Sequence, residues 1–250
     1  MTPSSPTESP SFAAVAHRYD ELRPVDDSWW EVFDALVREG DLRGRRLLDV
    51  GCGTGKLAVA LVEREACRVW GVDASAEMLA VARAAAPGVR FKQAHAEQLP
   101  FKDGWFERVV LRMSLHLFDR PRALAESRRV LAPGGWVAIA TPDPAQLGSS
   151  WFDSFFPTLA EVDRQRLPSR VTLERELVAA GFGPARVVTL VQDKTISRDD
   201  ALAKLRAKAF STCQLISQDE YEAGLERAER GLPETSVYPH HWLIATAEAL

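Results

Sequence analysis

The chain has 250 residues, 46% of them hydrophobic and 26% charged, which suits a soluble protein able to bury one sizeable core. Lys and Arg number 31 against 35 Asp and Glu, a formal net charge of −4; this is not the footprint of a general nucleic-acid binder, though it leaves room for a local basic patch. Cys52, Cys67 and Cys213 are odd in number and form no CxxC pair, against a disulfide scaffold or a thiolate zinc site, and with no secretory signal and no bilayer-length apolar run the expectation is a reduced, cytoplasmic protein.

Residues 1–10 hold three Pro and five Ser or Thr and read as a disordered tail. Residues 11–22 follow as a short helix that stops before Arg23-Pro24, because proline disfavours helical geometry in the residue before it. Ser28 and Glu31 have capping-box spacing and open a helix carrying Val32, Phe33, Leu36 and Val37 on one face, as far as Gly40. From there the chain alternates. Strands are read at 46–50, 69–73, 89–93, 108–113 and 136–141, and helices at 56–64, 76–86 and 122–131. Ser75 is a candidate N-cap, Pro121 sits in a first turn, and Pro133-Gly134-Gly135 reads as a turn.

The second half is less regular. Residues 142–170 carry four prolines and the cluster Trp151, Phe152, Phe155, Phe156. Helices are expected at 172–180, closed by Gly181, and at 199–210 and 218–230; strands are expected at 187–191 and 242–247. Alternating strands and helices imply an α/β fold, a mostly parallel sheet with helices on both faces. With no repeat and no long linker, residues 11–250 read as one domain, with 11–40 as a helical cap and 142–170 and 195–235 as candidate substrate-lid elements.

The run Leu47-Leu48-Asp49-Val50-Gly51-Cys52-Gly53-Thr54-Gly55 passes from a strand directly into a helix. Alternating glycines there permit positive φ, and the exposed N–H groups at the carboxyl edge of the sheet suit an electron-rich ligand. A Walker phosphate loop is excluded, since the spacing to Gly55-Lys56 is one residue short and Leu57 stands where a hydroxyl is needed. A dinucleotide fingerprint is broken by Lys56 at its third small position. A nucleoside without a pyrophosphate remains. Asp73, at the end of the second strand and 20 residues past Gly53, is placed to accept hydrogen bonds from ribose hydroxyls.

Five blocks resemble the class I S-adenosylmethionine-dependent methyltransferases, in the branch that includes the ubiquinone/menaquinone-biosynthesis C-methyltransferases. They are Leu48-Asp49-Val50-Gly51-Cys52-Gly53-Thr54-Gly55, Gly71-Val72-Asp73-Ala74-Ser75, Ala96-Glu97-Gln98-Leu99-Pro100-Phe101, Leu115-His116-Leu117-Phe118 and Arg129-Val130-Leu131-Ala132-Pro133-Gly134-Gly135. They span residues 47–141 in the family's order, and His17-Arg18-Tyr19-Asp20 looks like that branch's N-terminal helix. The resemblance implies a Rossmann-like seven-stranded sheet with the last strand antiparallel, S-adenosyl-L-methionine as cofactor, and methyl transfer to a small molecule by in-line displacement.

By position, the resemblance places Gly51 and Gly53 against the methionine part of the cofactor, with Asp49 supporting the turn and the amino group. It places Asp73 on the ribose, Ala74 and Met78 beside the adenine, Ala96 and Glu97 at its edge, and Leu111 on the methionine side. Tyr19 and Arg23 close over the cofactor. His95 stands where the family usually has an Asp that accepts from the adenine amino group; a neutral imidazole accepts one such bond.

His116 is the candidate general base if the acceptor is a weak acid, though a structural role is preferred. Arg112 either meets an anionic substrate or is solvated or paired with a carboxylate. The aromatic cluster fits either an apolar or aromatic guest or plain packing. His240-His241 lacks companion ligands, so no metal is expected. Arg198, Lys204, Arg206 and Lys208 read as a solvated helix face. The alternatives are a catalytically inactive cofactor-binding regulatory module and a nicotinamide-dependent dehydrogenase.

Overall fold

The chain is described here by a computed structural model covering residues 10, 12–148 and 150–250; the tail read at 1–10 lies, but for Pro10, outside the described residues. Seven strands carry the fold: β1 (Arg46–Val50), β2 (Arg68–Asp73), β3 (Arg90–Gln93), β4 (Phe106–Arg112), β5 (Leu131–Pro142), β6 (Arg186–Ser197) and β7 (Thr235–Glu248). They form one sheet in the order β3-β2-β1-β4-β5-β7-β6. β1 to β5 pair in parallel, and β7 runs antiparallel to both of its neighbours. Strand order reverses between β1 and β4, and the crevice outside their carboxyl ends is where open α/β sheets bind ligands.

The helices are α1 (Tyr19–Leu22), α2 (Asp27–Gly40), α3 (Lys56–Glu65), α4 (Ala76–Ala85), α5 (Arg120–Val130), α6 (Leu159–Arg166), α7 (Arg170–Ala179), α8 (Arg198–Arg206) and α9 (Gln218–Gly231). Side chains on a strand alternate between faces, and the two core layers follow that alternation. Leu48, Val109, Leu111, Val137 and Ile139 face Leu124 of α5 and Leu173 and Leu177 of α7. Leu47, Val69, Val110, Ala138 and Ile244 face Val32, Phe33 and Leu36 of α2 and Leu57 and Leu61 of α3.

Several boundaries differ from the sequence reading for local reasons. α2 is capped by Asp26, not Ser28: the Asp26 carboxylate accepts the Trp29 N–H at 2.8 Å, and the Ser28 hydroxyl donates to the same oxygen at 2.7 Å. A charged acceptor gains more at a helix N-terminus than a hydroxyl does. The stretch at 11–22 divides into a 3₁₀ turn, Ala13–Arg18, and α1. Pro133-Gly134-Gly135 lies inside β5 as an irregularity, where the register with β4 shifts between Phe106 and Arg108. The helix expected to reach 210 stops at Arg206, because Lys208 turns left-handed at φ 46°.

The largest difference is at β6 and β7. Both were expected to be short, yet their pairing runs from Arg186↔Thr246 to Ser197↔Thr235. β5 stops pairing with β7 at Pro142↔Trp242. Beyond that point β6 and β7 continue as a two-stranded ribbon carrying α8 and α9 between its ends. Trp151, Phe156 and Leu159 pack there with Ile196, Leu202, Leu205, Cys213, Tyr221 and Leu232 as a third apolar cluster. The stretches 142–170 and 195–235 therefore share one small core beside the sheet.

Candidate functional site

The loop from β1 to α3 carries positive φ at Gly51 (73°) and Gly53 (53°). The two glycines serve different ends. A Cβ on Gly51 would stand 2.5 Å from the Ser114 Cβ, so the loop could not sit against the end of β4 with any larger residue. A Cβ on Gly53 would meet no protein atom within 4 Å, because that side of the loop opens into a cavity. The Ser114 hydroxyl donates to the Val50 carbonyl at 2.7 Å and ties β4 to β1 beneath the turn.

The cavity measures about 700 Å³ and extends from this loop to the third apolar cluster. Asp73 sits at its edge. One carboxylate oxygen accepts the Gly53 N–H at 2.8 Å and the other accepts the Ser75 N–H at 2.9 Å. Burial raises its pKa against those backbone donors. Asp49 is only 2% exposed, and its Oδ2 has no partner among the described residues. Burial, with Asp73 adding repulsion and Arg112 opposing both, lifts its pKa to about 7. An orphaned carboxylate at that pKa is a group prepared for a cationic donor.

Of the residues singled out in the sequence, Tyr19, Arg23, Asp49, Gly51, Gly53, Asp73, Ala74, Met78, His95, Ala96, Glu97 and His116 line this one cavity. Leu111 does not. It is fully buried against the α5 and α7 layer, and the neighbouring Arg112 and Met113 reach the cavity instead. His116 lines the cavity with Nδ1 unpartnered, but burial and the charges of Arg166, Arg23 and Arg120 push its pKa down to about 3. It is a neutral hydrogen-bonding group and a weak base, which speaks for the non-catalytic reading.

The N-terminal cap is bolted to the loop by contacts the sequence reading missed. The Thr54 hydroxyl donates to Asp20 at 2.6 Å, and the Lys56 ammonium lies 3.2 Å from the same carboxylate while donating to the Arg23 carbonyl. The lysine that breaks the dinucleotide spacing is thus the residue that holds the cap.

At the far end of the cavity stand Trp29, Phe152, Phe210, Tyr238 and His240, with the cations Arg112, Lys194 and Lys204. Lys204 corrects the reading of residues 198–208 as a solvated face. Arg206 pairs with Glu229 and Lys208 donates to Gln218, while Lys204 turns inward. Lys194 and Tyr238 went unnoticed, and His240 was weighed only as a metal ligand, because β6 was expected to end at 191 and β7 to begin only at 242. The signal present was the period-two run Gln192, Lys194, Ile196, whose outer two members are buried. His240 stacks on Trp242 at 4.7 Å, and burial with the charge of Lys194 depresses its pKa to about 3.

Three comparisons place this arrangement among known proteins. A model of a methyltransferase domain matches residues 48–139. A malonyl-[acyl-carrier protein] O-methyltransferase of Halorhodospira halophila is 32% identical over 93% of this chain and 85% of its own length. A demethylmenaquinone methyltransferase of Chlorobaculum tepidum is 33% identical over 56% of this chain, a match spanning 64% of that relative. Among solved structures, a methyltransferase from an antibiotic biosynthesis pathway of Anabaena variabilis superposes with a TM-score of 0.66 at 21% identity, covering 86% of this chain and 96% of that one, a likeness of fold.

Proposed function

The chain belongs to the class I S-adenosylmethionine-dependent methyltransferases, and we propose that it transfers the methyl group of that cofactor to a small-molecule acceptor with an apolar or aromatic portion. The observation that carries this reading is the meeting, on one cavity, of the glycine turn, the orphaned Asp49 carboxylate and Asp73. The two relatives named above act on different acceptors, so the acceptor's character is read from the cavity itself.

The residues present fit the cofactor. The open side of Gly53 leaves room for it, and Asp49 Oδ2 suits its ammonium group. Asp73, whose oxygens already order Gly53 and Ser75, keeps lone pairs for ribose hydroxyls. Ala74, Met78, Ala96 and Glu97 would wall the adenine, with His95 and Tyr19 lining the same cavity. When bound, the cofactor supplies a methyl group already activated by its sulfonium. The protein's task is then alignment and exclusion of water, which contribute roughly 7–11 kcal/mol in well-oriented systems.

The cap, latched through Asp20, Thr54 and Lys56, and the segments carrying Phe152 and Phe210 enclose the acceptor end. His116, with its low pKa, orients rather than deprotonates. The test is incubation with methyl-labelled cofactor and fractionated small-molecule extract. Label in a small molecule, with stoichiometric S-adenosylhomocysteine, is expected. Tight cofactor binding with no transfer into any fraction would instead mark a binding module.

A further inference from the structure

We propose that Arg23, Arg112, Lys194 and Lys204 form a cationic anchor that holds an oxyanion group, a carboxylate or a phosphate, on the acceptor; the proposal rests on the methyltransferase reading above and names the substrate class of the same cavity.

The four cations come from four places in the fold: the end of α1, the end of β4, the β6 ribbon and α8. All line one cavity, close enough for Arg23 to repel the other three. Four other half-buried guanidiniums are paired with acids, whereas Arg46 and Arg170 are not. Arg108 meets Asp41, Arg120 meets Glu176, Arg129 meets Glu126, and Arg166 meets Asp163. None of the four cavity cations makes an ion pair among the described residues. Arg23 donates one Nη to the Ala209 carbonyl at 2.8 Å, and its Nε is buried without a partner. The Nε of Arg112 is likewise orphaned.

The acids nearby act on the four cations only at longer range, without an ion-pair contact among the described residues. Asp26 attracts Arg112, Lys194 and Lys204 from beyond ion-pair distance, and one of its oxygens accepts the Ser28 hydroxyl and the Trp29 N–H. Glu31 accepts from Gln192, and Asp200 accepts from the Ser197 hydroxyl. Asp163 is held by Thr212 and Arg166, and Asp49 attracts Arg112 without an ion-pair contact among the described residues.

Burial pulls the ammonium pKa of Lys194 and of Lys204 downward, and the charge of Arg23 pulls both further. Arg112 falls to about 10 through burial, again with Arg23 repelling it. Clustered, desolvated, unpaired cations cost a fold stability unless an opposite charge arrives. The aromatic walls give the cluster its direction. Arg23 lies over the Phe210 ring at 4.7 Å and Arg112 over the Trp29 ring at 4.7 Å. Stacking fixes the planes of two donor forks, and planar forks recognise carboxylate and phosphate oxygens. Two lysines beside them add point charge.

The experiment uses the full chain saturated with S-adenosylhomocysteine, titrated by calorimetry with phenylacetate, benzyl phosphate, phenylacetamide and phenethylamine. These probes share an aromatic ring and differ in charge. At least one of the two anions is expected to bind about tenfold or more tighter than the amide, with the amine weakest; which anion leads tells carboxylate from phosphate. Lys194→Gln and Lys204→Gln are each expected to weaken that anion by about tenfold. Ligand-free, both variants are expected to melt no lower than the wild type, since each removes repulsion. An amide that binds as well as the anions, or no binding by either anion, overturns the anchor. So does a loss of melting temperature in both lysine variants with anion affinity unchanged. If S-adenosylhomocysteine itself does not bind the wild type, the methyltransferase reading fails; if it binds and the anions are not preferred, only the anchor fails.

Discussion

The two ends of the cavity are built from opposite materials. At the proposed cofactor end stand the acids Asp49 and Asp73, with Lys56 turned to Asp20, and much of the wall is backbone: a glycine turn held by hydrogen bonds from Gly53 and Ser75 and set against Ser114. At the proposed acceptor end cations predominate, Arg23, Arg112, Lys194 and Lys204 beside Asp26 and Asp163, and the walls are side chains brought from α1, α2, β4, the ribbon and α8. A turn made of backbone needs only a short stretch of sequence to define it. A wall made of side chains from five elements takes its shape from long-range packing. The proposed cofactor end is therefore specified locally, and the opposite end depends on long-range packing.

The sharpest way to break this contrast is at the two glycines. Gly51→Ala forces a Cβ onto Ser114 at positive φ, and the combined steric and backbone cost is expected to be roughly 2–5 kcal/mol. Gly53→Ala has the backbone cost alone, about 1–2 kcal/mol, but its methyl points into the cavity and weakens cofactor binding. Urea denaturation with and without S-adenosylhomocysteine separates the two; equal stability losses would refute the assignment of distinct roles.

Asp49 makes the cofactor end sensitive to pH. Its pKa in the ligand-free fold is about 7, raised chiefly by burial and then by Asp73. A folded pKa above the unfolded value means that ionising Asp49 costs stability, so that contribution is present at low pH and lost as pH rises through about 7. Binding an ammonium group draws the pKa back down. Cofactor affinity is then full above pH 7 and falls by up to about tenfold per unit below it. Asp49→Asn flattens the profile, and a wild-type profile already flat from pH 6 to 8 would contradict the role.

His116 and Lys56 probe smaller effects. His116→Gln retains a neutral hydrogen-bonding group, and transfer is expected to fall by less than the 10²–10⁴-fold that removal of a general base brings. A larger loss in kcat, with its acid limb gone, would restore His116 as a base. Lys56→Met removes a half-buried contact between loop and cap, and about 1 kcal/mol or less of stability is expected to go with it.

The same division decides what was legible in the amino-acid sequence. Residues 47–141 hold contiguous strand–turn–helix signals, and their elements lie within a few residues of the reading. The cavity there gathers eleven of the twelve expected cofactor residues, Leu111 being the exception. That exception came from strand alternation: Leu111 faces the same layer as Val109, and the next residues, Arg112 and Met113, line the cavity. Lys204 looked like one more charge on a polar helix, because only the ribbon's length brings α8 round to face the cavity. The ribbon was hidden by Gln192, Asp193, Lys194 and Thr195, whose polarity reads as loop although Lys194 pairs across to Tyr238. Lys56 was read correctly as an obstacle to a dinucleotide, but its partner Asp20 lies 36 residues earlier in the chain, beyond any local pattern.

The most direct test is a calorimetric titration of the wild type and of Asp73→Ala with S-adenosylhomocysteine. Binding by the wild type, weakened by about 1–3 kcal/mol in the variant through lost hydrogen bonds to a charged group, is the predicted result. A wild type that ignores S-adenosylhomocysteine and binds NADH, or an Asp73→Ala variant with undiminished affinity, would contradict the claim that the turn and the acid at its side hold an adenosyl cofactor.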